Sequence, residues 1–176
     1  AHRLDKETSG ILILAKKRLA LVELQEQMKK NQITKEYFAL TLGAWRDEKR
    51  NVKAPIYKYT NKDGERRVRI DQELGQFSHT IFTLKKKYAE FSLVNADLQT
   101  GRTHQIRIHL QYLGFPIAGD DKYGNFEQNK LLAKQGLKRM FLHAHHVKFM
   151  HPMTQQTLEV NCPLAPELAS FLSKLS

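Results

Sequence analysis

A dense group of polar side chains, "HRLDKETSG", stands directly before an apolar run near the start of the chain. Asp5 has the cations Arg3 and Lys6 beside it and the hydroxyls of Thr8 and Ser9 after it. Neighbouring cations and hydrogen-bond donors favour an ionised carboxylate, and such a carboxylate can act as a nucleophile. The common alternative for an aspartate in a loop is a turn or a helix cap, in which the carboxylate accepts backbone N–H groups. The residue types alone leave both interpretations open.

A second group, "TGRTHQIRIHL", places Arg102 and Arg107 five residues apart with His104 and Gln105 between them. Arg107 lies between two isoleucines, so we expect its stem to be buried and its guanidinium to need an anionic partner. The alternative is a basic helix face that meets solvent or phosphate. The apolar neighbours favour a buried pair between Arg107 and a carboxylate.

Four of the eight histidines lie close together near the end of the chain, at His143, His145, His146 and His151. A metal site requires converging ligands, usually with cysteine or carboxylate among them, and no H-E-x-x-H or paired-cysteine pattern is present. On a strand, His143 and His145 would share one face while His146 would point to the other. We therefore expect no metal ion, and histidines that are packed or face RNA.

The charge balance of the 176 residues is strongly basic, with 29 Lys and Arg against 18 Asp and Glu, a formal net charge of +11. Residues 29–70 alone hold 12 Lys or Arg and 5 Asp or Glu, which is +7 of that total. A surplus of this size favours a polyanionic partner, and nucleic acid is the usual one. The alternative is a basic, well-solvated surface without such a partner.

Cysteine content and hydropathy indicate the compartment in which the protein is found. The single cysteine, Cys162, excludes a disulfide within the chain and is typical of a reducing compartment. No run approaches the roughly 18 apolar residues of a membrane span, and no signal peptide is visible. We expect a cytoplasmic protein without membrane contact, a monomer, with residues 1–176 forming a single domain.

Hydrophobic patterning predicts strands that follow one another through short turns, with helices between them. Strands are predicted at residues 11–15, 35–43, 79–88 and 89–98, in the segments "FLHAHHVKFMHP" and "TLEVNCP", and in a hairpin around Asp63 and Gly64. Helices are predicted at residues 16–31, on a face with Leu19, Val22, Leu24 and Met28, at the segment that stops at Gly114, and at "APELASFLSKL". This order predicts an α+β fold on a mostly antiparallel sheet.

Taken together, "HRLDKETSG", "KEYFAL", "TGRTHQIRIHL", "PIAGDDKYG" and "FLHAHHVKFMHP" closely resemble the RluA-type pseudouridine synthases, most of all those that act on the large ribosomal subunit. The similarity covers essentially the whole chain in the family's order. It implies the pseudouridine synthase fold, a long, bent, mostly antiparallel mixed sheet flanked by helices and loops, with a central RNA-binding cleft. It also implies an isomerase that converts uridine to pseudouridine in RNA, most of all ribosomal RNA, without a metal or organic cofactor.

The resemblance assigns roles residue by residue. Asp5 matches the catalytic aspartate, Tyr37 the tyrosine that stacks on the target base and can take part in proton removal, and Arg107 the arginine paired with the aspartate. Leu142 matches an apolar residue at the base pocket, and Arg3 an arginine near the RNA.

Three further residues of the second group, Arg102, His104 and Gln105, are expected to bind the RNA. Family members carry strands before the "HRLD" motif, and the ribosomal members an S4-type RNA-binding domain; neither is seen in this chain. Three alternatives stay open: a basic RNA-binding module without catalysis, a synthase acting on transfer RNA, and a metal-dependent nuclease that uses the histidines.

Overall fold

Nine strands and four helices follow one another in the computed structural model, which describes residues 2–176. The strands are β1 (Ser9–Gly10), β2 (Thr34–Leu42), β3 (Lys49–Lys53), β4 (Ile56–Thr60), β5 (Arg66–Ile70), β6 (His79–Lys87), β7 (Phe91–Leu98), β8 (Leu142–Met150) and β9 (Thr157–Asn161). The helices are α1 (Arg18–Lys29), α2 (Gln105–Tyr112), α3 (Phe126–Lys134) and α4 (Pro166–Ser173).

Seven of the strands form one mixed sheet in the order β1-β8-β2-β7-β6-β3, and β9 pairs with β8. Every pairing in it is antiparallel except that of β1 with β8. The strands β4 and β5 form a separate hairpin around the predicted turn. The α+β class and the mostly antiparallel sheet predicted from the sequence are therefore confirmed.

The central strands β2 and β7 are buried on both faces over most of their length. Tyr37 on β2 lies opposite Ala96 of β7 and Ala144 of β8. Opposed residues of paired strands share a face, so two small alanines flank the tyrosine within the sheet, and Tyr37 is 7% exposed. The register of β2 thus presents Tyr37 on one face of the sheet.

The strand predicted at residues 11–15 is wrong. Only Ser9 and Gly10 pair with β8, and Leu12 and Leu14 are 46% and 77% exposed. The next stretch of the β8 edge is already occupied, because the Cys162 N–H bonds to the carbonyl of His145 and β9 continues from there. An apolar run adjacent to a strand edge cannot extend the sheet where another strand holds that edge.

Gly10 closes this short strand in a left-handed backbone conformation, with φ +111°. A Cβ at this position would lie 2.1 Å from the carbonyl oxygen of Ala144, so Gly10→Ala should lower the stability by roughly 1–3 kcal/mol or more. Gly64→Ala is the matched control, because its φ is +79° and no atom lies within 4 Å of the added Cβ. Thermal unfolding of both variants measures how much of the loss of stability comes from the clash with Ala144. Equal Tm values would contradict a destabilising clash.

The helix predicted at residues 16–31 is confirmed as α1, but its buried face differs from the predicted one. Leu19 and Val22 are 72% and 48% exposed, whereas the polar Gln27 is 4% exposed. The Gln27 amide donates to the carbonyl of Met150 at 2.8 Å and accepts from its N–H at 3.2 Å. A glutamine that satisfies both groups at the end of β8 is buried in place of the apolar residues.

Candidate active site

All eight residues singled out from the sequence line one cleft of about 180 Å³. They come from the loop before β1, from β2, from the segment leading into α2, from the first turn of α2 and from the start of β8. These residues are Arg3, Asp5, Tyr37, Arg102, His104, Gln105, Arg107 and Leu142. The fold therefore brings together groups that are far apart in the sequence.

The carboxylate of Asp5 faces two side chains of the second group. Its Oδ2 lies 3.5 Å from Nη1 of Arg107, and its Oδ1 lies 3.8 Å from Nε2 of His104. A turn formed by the hydrogen bond from the Thr8 N–H to the backbone carbonyl of Asp5 holds the loop, at 2.9 Å. The side chain is 22% exposed, so Asp5 is anchored on one side and open to the cleft on the other. The alternative of a backbone-capping carboxylate does not describe this geometry.

Arg107 contacts Asp5 as predicted, but a second carboxylate binds its guanidinium more closely. The guanidinium forms a two-bond pair with Asp120, from Nε to Oδ2 at 2.9 Å and from Nη2 to Oδ1 at 2.7 Å. Only the remaining nitrogen reaches Asp5. A buried guanidinium requires the closer, better hydrogen-bonded carboxylate, and Asp120 is 1% exposed. Arg107 is thus fixed by Asp120 and presents its third nitrogen to Asp5.

Both partners of this pair are held in their charged forms. Burial by itself would raise the pKa of Asp120, but the hydrogen bonds and charge of Arg107, with the backbone N–H groups of Lys122 and Tyr123, lower it overall. Burial would lower the pKa of Arg107, but Asp120 and then Asp5 raise it overall. The pair therefore supplies a fixed positive group beside Asp5 at neutral pH.

Asp120 is a functional residue that reasoning from the sequence missed. Two signals pointed to it. Arg107, with apolar neighbours on both sides, needs a buried carboxylate, and the "GDDKYG" segment with Asp120 lies 13 residues further along. The segment contains two adjacent aspartates, and the pattern does not distinguish them. In the structure Asp121 is 72% exposed and comes no nearer to Arg107 than 3.8 Å, so Asp120 is the structural partner.

The wall of the cleft formed by the sheet is apolar and aromatic. Leu142 pairs with Ala39, two residues from Tyr37, and therefore shares the face of Tyr37. Burial first, and then the charge of Asp5, raises the pKa of Tyr37 to about 12. Tyr37 is consequently a neutral phenol at neutral pH, which suits it to stacking and disfavours proton removal by a phenolate.

Gln105 does not have the free polar atoms that RNA binding would need. Its Oε1 accepts from Thr100 at 2.7 Å and from the Arg102 N–H at 3.0 Å. Its Nε2 donates to the carbonyl of His79 and to the hydroxyl of Thr80. The geometry gives Gln105 the role of holding the Arg102 segment, whereas the exposed Arg102 keeps guanidinium nitrogens at the mouth of the cleft.

Two further cleft residues, His2 and Lys35, were not singled out from the sequence. Burial first, and then the charge of Lys35, lowers the pKa of His2 to about 4. Burial also lowers the pKa of Lys35. His2 Nδ1 accepts the N–H of Ile13 at 3.1 Å, which leaves Nε2 as the donor of a neutral imidazole. His2 begins the "HRLD" motif, but its place in the cleft beside Lys35 depends on how the loop before β1 packs on β2, which the motif does not predict.

The prediction that His146 points away from the other histidines is wrong. A β-bulge lies between Glu36 and Tyr37, where Glu36 pairs with His146 but Tyr37 pairs with Ala144. The extra residue is in β8, and it shifts the alternation of side chains between the two faces of the sheet. His146 therefore lies on the same face as Glu36, 2.7 Å from Glu36 and 2.8 Å from Glu159. Within residues 2–176, no three His, Cys, Asp or Glu side chains are grouped as metal ligands.

The family model for RNA pseudouridylate synthases matches residues 1–112, which include Asp5, Tyr37 and Arg107. The chain belongs to this family. Among curated relatives, it is 47% identical to the "Ribosomal large subunit pseudouridine synthase C" of Pasteurella multocida and 46% identical to that of Escherichia coli K12. Both alignments cover 99% of this chain, and 53% and 55% of the relatives. The chain thus spans about half the length of the curated relatives it matches.

A solved structure of the same family has the same architecture. "Human RNA Pseudouridylate Synthase Domain Containing 1" superimposes with a TM-score of 0.79 at 28% identity, over 97% of this chain and 71% of that one. The pseudouridylate synthase fold implied by the sequence motifs is therefore confirmed. None of the helices between His2 and Ser176 has the length and apolar character needed to cross a bilayer.

Proposed function

We propose that residues 1–176 form the catalytic domain of a cytoplasmic RNA pseudouridine synthase that isomerises uridines in large-subunit ribosomal RNA. The observation that carries this proposal is the placement of Asp5, partly open to the cleft, beside a fixed Arg107 and on the same cleft as Tyr37. Family membership supports the reaction, and the names of the curated relatives support the class of RNA.

The reaction breaks the bond between N1 of uracil and C1′ of the ribose, turns the base and joins C5 to C1′. A nucleotide inside a helix cannot rearrange in this way, so the uridine must leave the stack, at a cost of a few kcal/mol. Stacking on an aromatic ring is worth about 1–3 kcal/mol per base, which Tyr37 can supply. Leu142 would contact the other apolar parts of the base.

Asp5 supplies the group that the cleavage requires. As the glycosidic bond breaks, positive charge develops on the sugar, and a carboxylate beside C1′ can stabilise it or bond to it, as in retaining glycosidases. Attack at C1′, attack at C6 of the uracil and removal of a sugar proton all use the same carboxylate. Arg107 orients that carboxylate, because Asp120 fixes the guanidinium from the other side.

The hairpin of β4 and β5 extends the cleft into a basic surface. Gly101, Arg102 and Thr103 line both the cleft and a neighbouring groove whose other side is the hairpin. The hairpin carries Lys58, Lys62, Arg66, Arg67 and Arg69. Arg69 lies over the rings of Tyr57 and Tyr59, at 5.0 and 5.2 Å from their centroids. Cations interleaved with aromatic rings are typical of a surface that binds RNA backbone and bases.

Replacing Lys58, Lys62 and Arg66 together by alanine should weaken RNA binding and reduce the slope of log K against log salt by up to about three. The same change at Lys130, Lys134 and Lys138, in and after α3, is the control, since these residues lie outside the hairpin as well as outside both grooves. Binding titrations between low and moderate salt measure the slopes. Equal slopes in the two triple variants would contradict a phosphate-binding hairpin.

Release of tritium from RNA labelled at C5 of uridine tests the proposed reaction, because C5 loses its hydrogen when it bonds to C1′. We expect the purified protein to release label from a large-subunit ribosomal RNA transcript, in the presence of EDTA as well as without it. A transfer RNA transcript distinguishes the alternative substrate. Binding of both RNAs without release would instead support a non-catalytic RNA-binding module, and loss of activity in EDTA would contradict a metal-free reaction.

A further inference from the structure

We propose that His104 and Tyr123 are positioning residues that orient Asp5 through a chain of contacts anchored on β5, an inference that rests on the proposed function. His104 Nε2 lies 3.8 Å from Asp5 Oδ1, and His104 Nδ1 lies 2.7 Å from the Tyr123 hydroxyl. That hydroxyl accepts the backbone N–H of Val68 at 3.0 Å. Asp5 is therefore supported on one oxygen by Arg107 and on the other by this second arm.

The direction of the hydrogens follows from the anchor. Because the Tyr123 oxygen accepts from Val68, its own hydrogen is available to His104 Nδ1, and the single hydrogen of a neutral His104 then lies on Nε2, towards Asp5. Burial raises the pKa of Tyr123, which keeps the phenol protonated. Burial lowers the pKa of His104; Asp5 opposes this shift, and Arg107 and Lys122 add to it. The imidazole is accordingly a neutral donor facing the carboxylate.

The separation of 3.8 Å is longer than a hydrogen bond, and we expect it to shorten when a nucleotide enters the cleft. Catalytic hydrogen bonds are often long before the substrate binds and tighten in the reacting complex. A donor that approaches Oδ1 while Arg107 holds Oδ2 would fix the plane of the Asp5 carboxylate. The orientation of that plane decides which oxygen lone pair faces the ribose.

The backbone at His104 gives independent support. His104 stands just before α2 in the left-handed region, with φ 52° and ψ 28°, and its side chain does not cap the helix. Such a conformation is costly for most residues other than glycine, and asparagine, aspartate and histidine adopt it more readily than the rest. A histidine at this position is explained by its ring, since the ring bridges Tyr123 and Asp5.

The ring of Tyr123 is fixed by contacts that do not involve the hydroxyl. It packs with Ile56, Val68 and Ile108, and the Arg107 guanidinium lies over it at 5.0 Å. The His104 ring meets it edge-on, with centroids 5.4 Å apart. A phenylalanine would therefore keep these packing contacts and remove only the link between Val68 and His104.

Tyr123→Phe is expected to lower kcat for tritium release about tenfold to a hundredfold with little change in KM, because a misoriented carboxylate reacts slowly. It should also move the acid limb of the pH profile to higher pH, since removal of a donor to Nδ1 raises the pKa of His104. Tyr88→Phe is the matched control, another buried tyrosine outside the cleft, and should leave both properties unchanged.

His104→Asn decides the question if Tyr123→Phe fails to fold, because asparagine suits the left-handed backbone and the start of a helix. We expect a similar loss of kcat with a Tm at or above that of the unchanged protein. A wild-type kcat and pH profile in these variants would overturn the proposal, as would a loss of activity that merely follows a lowered Tm. If the unchanged protein releases no tritium, the proposed function has failed instead.

Discussion

Asp5→Asn is expected to reduce turnover by about four orders of magnitude or more, the scale seen when an essential nucleophile is removed. Asparagine keeps the size of the side chain and removes the negative charge that the cleavage of the glycosidic bond requires. The fold should tolerate the change, because Asp5 is 22% exposed and Arg107 keeps its pair with Asp120. RNA affinity should change little, since Arg3, Arg102 and the hairpin are untouched.

Tritium release under single-turnover conditions measures this loss, and a filter-binding or fluorescence titration measures affinity in parallel. Asp121→Asn is the control, because it removes the same charge from a carboxylate 3.8 Å from Arg107 that is 72% exposed and does not line the cleft. It should retain nearly full activity. Near-normal release by the Asp5 variant, or equal losses in both variants, would be incompatible with Asp5 as the reacting group.

Asp120→Ala is expected to destabilise the protein by about 3–5 kcal/mol, because it leaves the guanidinium of Arg107 buried without its partner. For a chain of this size, that corresponds to a fall in Tm of about 6–20 °C. Turnover should fall as well, since the third nitrogen of Arg107 then loses its fixed position beside Asp5. Arg107→Leu should show both losses, for the converse reason that it strands Asp120.

The double variant Arg107→Leu/Asp120→Ala separates charge pairing from packing. Replacing a buried pair by apolar residues often costs little, so the double variant should be more stable than either single one, while its turnover stays low. Chemical denaturation of the four proteins gives the coupling free energy. Additive losses of stability would show that Arg107 and Asp120 do not depend on each other.

The pair of Arg107 and Asp120 makes the stability of the protein depend on pH. The pKa of Asp120 is lower in the folded protein than its ordinary value of 3.8, so the carboxylate contributes stability above that pH and loses it as the pH falls further. The Tm difference between the unchanged protein and Asp120→Ala should therefore be constant near neutrality and shrink below about pH 4. A difference that grows on acidification would contradict an ionised Asp120.

Local patterns in the sequence were sufficient for the elements whose burial is decided by their own residues. Strand β2, the hairpin around Gly64 and helix α2 follow from alternation, turn chemistry and helical spacing. The segment at residues 11–15 has the composition of a strand. Whether it pairs with β8 depends on β9, which is about 150 residues away in the chain and occupies that edge of β8. Local sequence patterns do not predict which of the two segments pairs with that edge.

The same distinction applies to the site. The motifs around Asp5 and Arg107 predicted that both residues meet at one cleft, and they do. The choice of Asp120 over Asp121 and the side on which His146 lies depend on a tertiary approach and on a β-bulge. Tyr123 escaped notice for a similar reason, because its hydroxyl matters only where α2 and β5 come together.

The most direct measurement is a map of pseudouridines in large-subunit ribosomal RNA from cells that lack the gene for this protein, complemented with the unchanged gene or with Asp5→Asn. We predict that specific pseudouridines disappear in the deletion strain, return with the unchanged gene and stay absent with the variant, even when both proteins accumulate to equal levels. Restoration of those pseudouridines by the Asp5 variant would contradict the central claim that this carboxylate carries out the isomerisation.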